Sequence, residues 1–131
     1  MKEDIKIPEV KNVYLAAVKV FNEAFRAEEW NVYLINDRED EIEMVLIVSR
    51  GYADERQTSV MRHKIEKLPA KSFAKVEFLQ EEVLPLNNEF SVTFFAENKM
   101  FEKKFLFRKN SINDKALRDL PIIPEKGILL K

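Results

Sequence analysis

The chain contains no cysteine. Thiol chemistry is therefore excluded, and no disulfide props up the fold. Glycine is almost as scarce, at two residues, which counts against any function built on a glycine-rich phosphate loop. One histidine leaves little from which to build a His-rich metal centre or an imidazole relay. No apolar run approaches the roughly 18 to 20 residues that a membrane-spanning helix requires. The opening residues 1–8 are polar and lack the apolar stretch of a signal peptide. These absences lead to the expectation of a soluble cytoplasmic protein with no membrane partner. An excess of one charge is missing too. Lys and Arg number 22 against 23 Asp and Glu, a net charge of -1, so no overall field draws in nucleic acid.

What is present is a succession of strand signals. The length, 131 residues, suits one domain able to bury roughly two-thirds of its unfolded surface. Ten phenylalanines suit a core filled with large flat side chains. From Trp30 to Asn36, Trp30, Val32 and Leu34 alternate with Asn31, Tyr33 and Ile35, which is the period of a strand. Residues 36–40 read as a turn, because Asn and Asp bond their own backbone there. In the following run Ile42, Met44, Leu46 and Val48 are expected to share a face until Arg50 and Gly51 break it. A polar loop over 52–56 leads to a strand from Thr58 to Leu68, with Met61, His63 and Ile65 on one side, closed by Pro69.

Ser72 to Leu79 places Ala74, Val76 and Phe78 inward and Lys75 and Glu77 outward. Residues 81–88 connect, with room for one helical turn, to a strand starting at Phe90. Glu97, Asn98 and Lys99 turn the chain into a last strand, Met100 to Arg108, where Phe101, Phe105 and Phe107 share a face. Strands and turns at roughly 8–12-residue spacing indicate a sandwich or barrel.

Two stretches are less direct. Across 10–27, Val10, Val13, Tyr14, Ala17, Phe21, Ala24 and Phe25 fall at helical spacing, while Val13, Leu15 and Ala17 also alternate. Periodicity alone leans to a helix, but an all-β chain calls for a strand turning over near Asn22 and Glu23, and a strand is expected. Beyond Asn110, Ser111 and Asp114 resemble a capping arrangement ahead of a short helix. Pro121 and Pro124 then force an extended tail. Its Ile122, Ile123, Ile128, Leu129 and Leu130 are too apolar to stay in water, and the tail is expected to dock on its own sandwich rather than on a neighbour's sheet edge.

The strand order resembles an immunoglobulin or fibronectin-type sandwich, with the strands around Trp30 and Ile42 as B and C, 74–78 as E, and Phe90 onward as the F–G hairpin. The cysteine pair of antibody domains is absent. More closely, residues 30–36, Ser49 to Tyr52, Arg62-His63, Pro69 to Lys75 and Leu86 to Asn88 resemble a small family of uncharacterised bacterial proteins, and the likeness runs over nearly the whole chain. Some of that family carry the label phenylalanyl-tRNA synthetase alpha subunit. A synthetase of that class needs a large antiparallel domain with arginines reading ATP, for which this chain leaves no room. The resemblance implies a sandwich and no known activity.

Candidate sites are few. Arg62 and His63 are the ligand-binding candidates, an anion-binding pair if both converge. The alternative has His63 partly buried with satisfied ring nitrogens and Arg62 packed along the sheet. Neither Ser59 nor Ser72 lies in a nucleophile elbow. The acidic turn Asp37, Glu39, Asp40 and Glu41 offers oxygen ligands, yet lacks the glycine and closing glutamate of a calcium loop; no metal and no cofactor is implied. Lys99, Lys103, Lys104, Arg108 and Lys109, interleaved with phenylalanines, suggest stacking on nucleic acid. The alternation instead sends the rings into the core and leaves the lysines as edge guards.

The expectation is thus an all-β, immunoglobulin-like antiparallel sandwich of about seven strands. It occupies 1–110, with 1–9 as an extended lead-in, and 111–131 add a short helix and a tail on the same domain. It is expected to serve as a protein-binding module rather than an enzyme, with a homodimer through an exposed sheet face as one form of that binding. The competing classes are a small enzyme using Arg62, His63 and a carboxylate such as Glu81 or Glu82, and a nucleic-acid binder through 99–109.

Overall fold

The structure is a computed structural model that describes residues 8–131. Of the expected lead-in over 1–9, residues 1–7 lie outside the described residues. Nine strands run through the rest: β1 (Val13–Asn22), β2 (Ala27–Asn36), β3 (Ile42–Ala53), β4 (Arg56–Gln57), β5 (Met61–Leu68), β6 (Ser72–Leu79), β7 (Asn87–Ala96), β8 (Lys99–Phe107) and β9 (Gly127–Leu130). Seven are eight residues or longer; β4 and β9 are short additions. Among the described residues the helical content is two single 3-10 turns, Glu81–Val83 and Asp114–Ala116. Among the described residues no helix is long and apolar enough to cross a membrane.

The strands form two antiparallel sheets packed as a sandwich, so the chain is all-β. One sheet has the order β6-β2-β1-β9. In the other, β3 pairs with β7 on one edge and with β5 and β4 on the opposite edge, and β8 closes the far side. Between them lies a core of alternate strand residues, among them Leu15, Val32, Leu34, Val45, Ile47, Phe90, Phe94 and Phe107. Phe94 stacks on Phe101 with ring centroids 5.1 Å apart, and Phe90 meets Phe107 edge-on at 6.0 Å. Burial of each such ring stabilises the fold by about 2–3 kcal/mol. The interleaved phenylalanines of β8 are thus core residues.

Residues 13–22 are a strand, and the structure explains their helical appearance. Leu15 and Ala17 face the sandwich core, while Ala16 and Val18 on the opposite face are equally buried, packed with Ile35 and Ile123. The C-terminal segment runs across the outside of this sheet, and β9 pairs with β1 from Leu15 to Val18. A strand covered on both faces is apolar at consecutive positions and loses its period of two. At the β1–β2 turn, the Asn22 side chain accepts from the backbone of Ala24 and Phe25.

Scarce glycine has a visible consequence. Among the described residues both glycines have negative φ, and nine other residues occupy the left-handed region. Two of these, Glu97 and Asn98 (φ 52° and 61°), form the two-residue hairpin loop between β7 and β8, the conformation that the twist of paired strands prefers.

Several expected side-chain directions are overturned by two bulges. In β3, Met44 takes φ 50° and the register with β7 shifts between Glu43 and Leu46. Ile42 consequently joins Val45 and Ile47 in the core, while Met44 and Leu46 are exposed; the four residues do not share a face. Nor does β3 end at Arg50, since pairing continues to Ala53. In β6 the register with β2 shifts at Val32/Tyr33, where Val76 is the extra residue. Beyond it Glu77 turns inward and Phe78 outward, the reverse of simple alternation. The strand expected from Thr58 starts at Met61. The Asp114–Ala116 turn is capped by Asn113, whose side chain accepts from Lys115 N, while the Ser111 hydroxyl donates to Arg108 O.

Candidate functional site

The open side of the sandwich lies between β5, at one sheet's edge, and β6, at the other's. The β6 bulge directs Glu77 into this gap. A carboxylate can only accept, so Ser49 Oγ donates to Glu77 Oε1 at 2.6 Å and His63 Nε2 donates to the same oxygen at 2.7 Å. Ser49 is almost fully buried on β3, and the Glu77 and His63 side chains retain 12% and 22% exposure. Three strands from two sheets thus meet on one oxygen atom. Glu77 Oε2 takes no hydrogen bond from the described residues and is not sealed from solvent.

This cluster forms one wall of a cleft of about 670 Å³, whose other walls include Phe78, Phe90, Met61 and Val83, with Glu82 also lining it. The floor is polar. Asn88, itself buried, donates from Nδ2 to the carbonyls of Val83 (2.8 Å) and Leu86 (3.1 Å), which leaves its Oδ1 pointing the other way. That oxygen lies beside Gly51, where an added Cβ would sit 3.2 Å from it. Gly51 N donates to Thr58 Oγ1 at 2.7 Å, and that hydroxyl donates to Ser59 O.

The expected pair Arg62 and His63 does not converge. Neighbours in a strand point to opposite sides: His63 enters the cleft, while Arg62 is exposed and opposite Val48 on the outer face of its sheet. The carboxylate that His63 meets is Glu77 rather than Glu81 or Glu82. Sequence reasoning missed both Ser49 and Glu77. One signal was available, since Phe78 and Leu79 are consecutive apolar residues and break the alternation of β6.

The cluster lacks the order of a nucleophilic triad. There the imidazole stands between hydroxyl and carboxylate, taking the hydroxyl proton; here the carboxylate stands between hydroxyl and imidazole. Ser72 is also committed, its Oγ donating to Pro69 O at 2.6 Å.

The acidic turn is occupied by cations of the chain itself. Lys71 Nζ lies 3.0 Å from Asp37 and 3.1 Å from Glu39, and Arg38 forks onto Asp40 at 2.7 and 3.0 Å. The Arg38 hydrogen bonds hold the Asp40 carboxyl below its ordinary value. Among the described residues no group of three or more His, Cys, Asp or Glu is placed to hold a metal.

A second surface stands out on the outer face of the β5–β3–β7–β8 sheet. Met44, Leu46 and Met100 are 66%, 41% and 51% exposed. Phe95, directly opposite Met100, also points outward, since its neighbour Phe94 is buried in the core. Glu43, exposed and directly opposite Phe95, lies within this group, and further charged residues border it: Lys64 lies opposite Leu46, Arg62 opposite Val48, and Glu102 and Lys104 follow on β8. No protein-family model matches the chain, and comparison with curated proteins and with solved structures finds no match.

Proposed function

We propose that the protein is an immunoglobulin-like module that binds another protein through the outer face of its β5–β3–β7–β8 sheet. The division of strands supports the architectural half of this reading. β1, β2 and β6 lie in one sheet and β3, β5, β7 and β8 in the other, which resembles the partition of immunoglobulin and fibronectin-type sandwiches.

Met44 carries the functional half. A non-glycine residue at φ 50° costs about 1–3 kcal/mol, and bulges concentrate where a side chain must be re-aimed. Yet this side chain is 66% exposed and contributes almost nothing to the core. A long, adaptable apolar side chain kept at a strained and exposed position supports a contact outside the chain. Leu46, Phe95 and Met100 extend a largely apolar centre that holds one carboxylate, Glu43 opposite Phe95, and Arg62, Lys64, Glu102 and Lys104 supply the polar rim of a protein interface.

The test compares proteins retained from native cell extract by the wild type, Met44→Asn and Leu46→Gln. Asparagine accepts the left-handed conformation, so Met44→Asn keeps the fold and removes the apolar contact. Loss of a specific partner at an unchanged melting temperature supports the reading; unchanged retention by both variants sinks it. Sedimentation of the same variants shows whether the partner is a second copy. Salt-sensitive retention on a polyanion column, unaffected by either substitution, counts for nucleic acid instead.

A further inference from the structure

The edge cleft has a donor–acceptor balance that the protein-binding reading does not use. Its most deeply placed donors are spent internally, while Ser59 Oγ and the Gln80 side-chain amide, which also line it, form no hydrogen bond with the described residues. Ser49 and His63 give their hydrogens to Glu77, Thr58 gives its own to Ser59 O, and both hydrogens of the Asn88 amide go to backbone carbonyls. Its acceptors remain open: Glu77 Oε2, Asn88 Oδ1 and the Glu82 carboxylate at the rim.

The charge balance points the same way. Glu82 forms no ion pair among the described residues, and the contact of Glu77 with His63 is its only one. Arg50 also borders the cleft, but its guanidinium is held by Glu89 at 3.1 Å and lies over the Tyr52 ring at 5.4 Å. Two carboxylates thus face a concave space with no uncommitted cation of the chain beside them.

The walls select among cations. Phe78, Phe90, Met61 and Val83 line the same space, and about 670 Å³ is the size of a small-molecule site. A bare metal ion gains nothing from apolar walls, whereas aromatic faces attract an organic cation. We infer that the cleft between β5 and β6 binds a primary ammonium carried on an apolar stem, the head on Glu77 Oε2 and the stem along Met61 and Phe78. An ammonium brings three donors and no acceptor, the complement of the oxygens that Glu77, Asn88 and Glu82 leave open. Such a group comes either from a free amine or from a lysine side chain of another protein, and both present the same chemistry.

The experiment is a two-dimensional amide NMR titration of the full chain with n-pentylammonium, using n-pentanol and pentanoate as controls matched in stem. The expected result is saturable shifts at Ser49, Gly51, His63 and Glu77 with the ammonium alone. Glu77→Gln is expected to abolish them, and Glu82→Gln, at an exposed position that leaves the fold intact, to weaken binding several-fold. Absence of saturation overturns the inference, as do equal shifts with pentanol, persistence of binding in both variants, or the same shifts with calcium chloride in place of the amine. A short peptide with one central lysine separates the sources: tighter binding than pentylammonium, with shifts spreading along β5, assigns the amine to a protein, and equal affinity assigns it to a free small molecule.

Discussion

Asn36 Nδ2 donates to the carbonyl of Leu68 at 3.0 Å, joining the end of β2 in one sheet to the end of β5 in the other. The same nitrogen faces the carbonyls of Pro69 and Asp40, each at 3.0 Å, while Oδ1 accepts from Arg38 N. The side chain is fully buried. Its replacement by leucine, similar in size, orphans several backbone groups at once. Asn36→Leu is expected to cost about 2–4 kcal/mol, read as a lowered urea midpoint. An unchanged midpoint would show that these carbonyls find other partners.

Gly127 tests how firmly the C-terminal segment is held. An added Cβ would lie 2.6 Å from the Ala17 carbonyl oxygen and 2.8 Å from Leu120 Cδ1. The first contact is with strand backbone, which cannot give way cheaply, so β9 itself must move. Gly127→Ala is expected to destabilise by about 1–3 kcal/mol. Amide exchange should accelerate at Ile128, Leu129 and Leu130 while the β7–β8 amides stay protected; uniform acceleration would count against a local detachment.

Asn31 is an opposite case. It is buried on the outer side of β2, and its Oδ1 has no hydrogen-bond partner. A buried acceptor left unsatisfied costs about 1–3 kcal/mol. Asn31→Leu is therefore expected to leave the melting temperature unchanged or to raise it by a few degrees. A marked fall on thermal melting would reveal a partner for that oxygen.

The Arg38–Asp40 fork predicts part of the acid response. Because Arg38 holds the Asp40 carboxyl below its ordinary value, the ionised form is favoured by folding. Its contribution is complete above the unfolded value of about 3.9 and is lost as pH falls through the lower folded value. Asp40 is 41% exposed, so solvent screening keeps the contribution under about 1 kcal/mol. Stability curves of wild type and Asp40→Asn should run parallel from neutral pH to about pH 5 and converge below about pH 4. A gap that widens on acidification would contradict the assignment.

How much was legible follows from where alternation holds. β7 and β8 keep a period of two, and the core-facing residues of β2 alternate although Asn31 and Ile35 are buried on its other face, so Trp30, Val32, Leu34, Phe101, Phe105 and Phe107 could be assigned inward from residue order alone. Residues 13–22 blurred because both of their faces are covered. The bulges at Met44 and Val76 were invisible, since a bulge is an agreement between two strands and one extra residue reverses every side chain after it. Legibility of the site failed for that reason. His63 was visible as the single histidine, but its partner Glu77 reads as an outward-facing charge until the register shift is known.

By itself the sequence determined the all-β class, the run of strands and turns, and the exclusion of thiol chemistry, because side-chain periodicity and residue type are local properties. Tertiary structure alone decided that the tail covers a second face of the β1–β2 sheet, that Arg62 and His63 part company, and that Ser49, His63 and Glu77 meet on one carboxylate oxygen. Those outcomes depend on the register between strands far apart in the chain, and register is set by pairing and packing rather than by any one strand's residues.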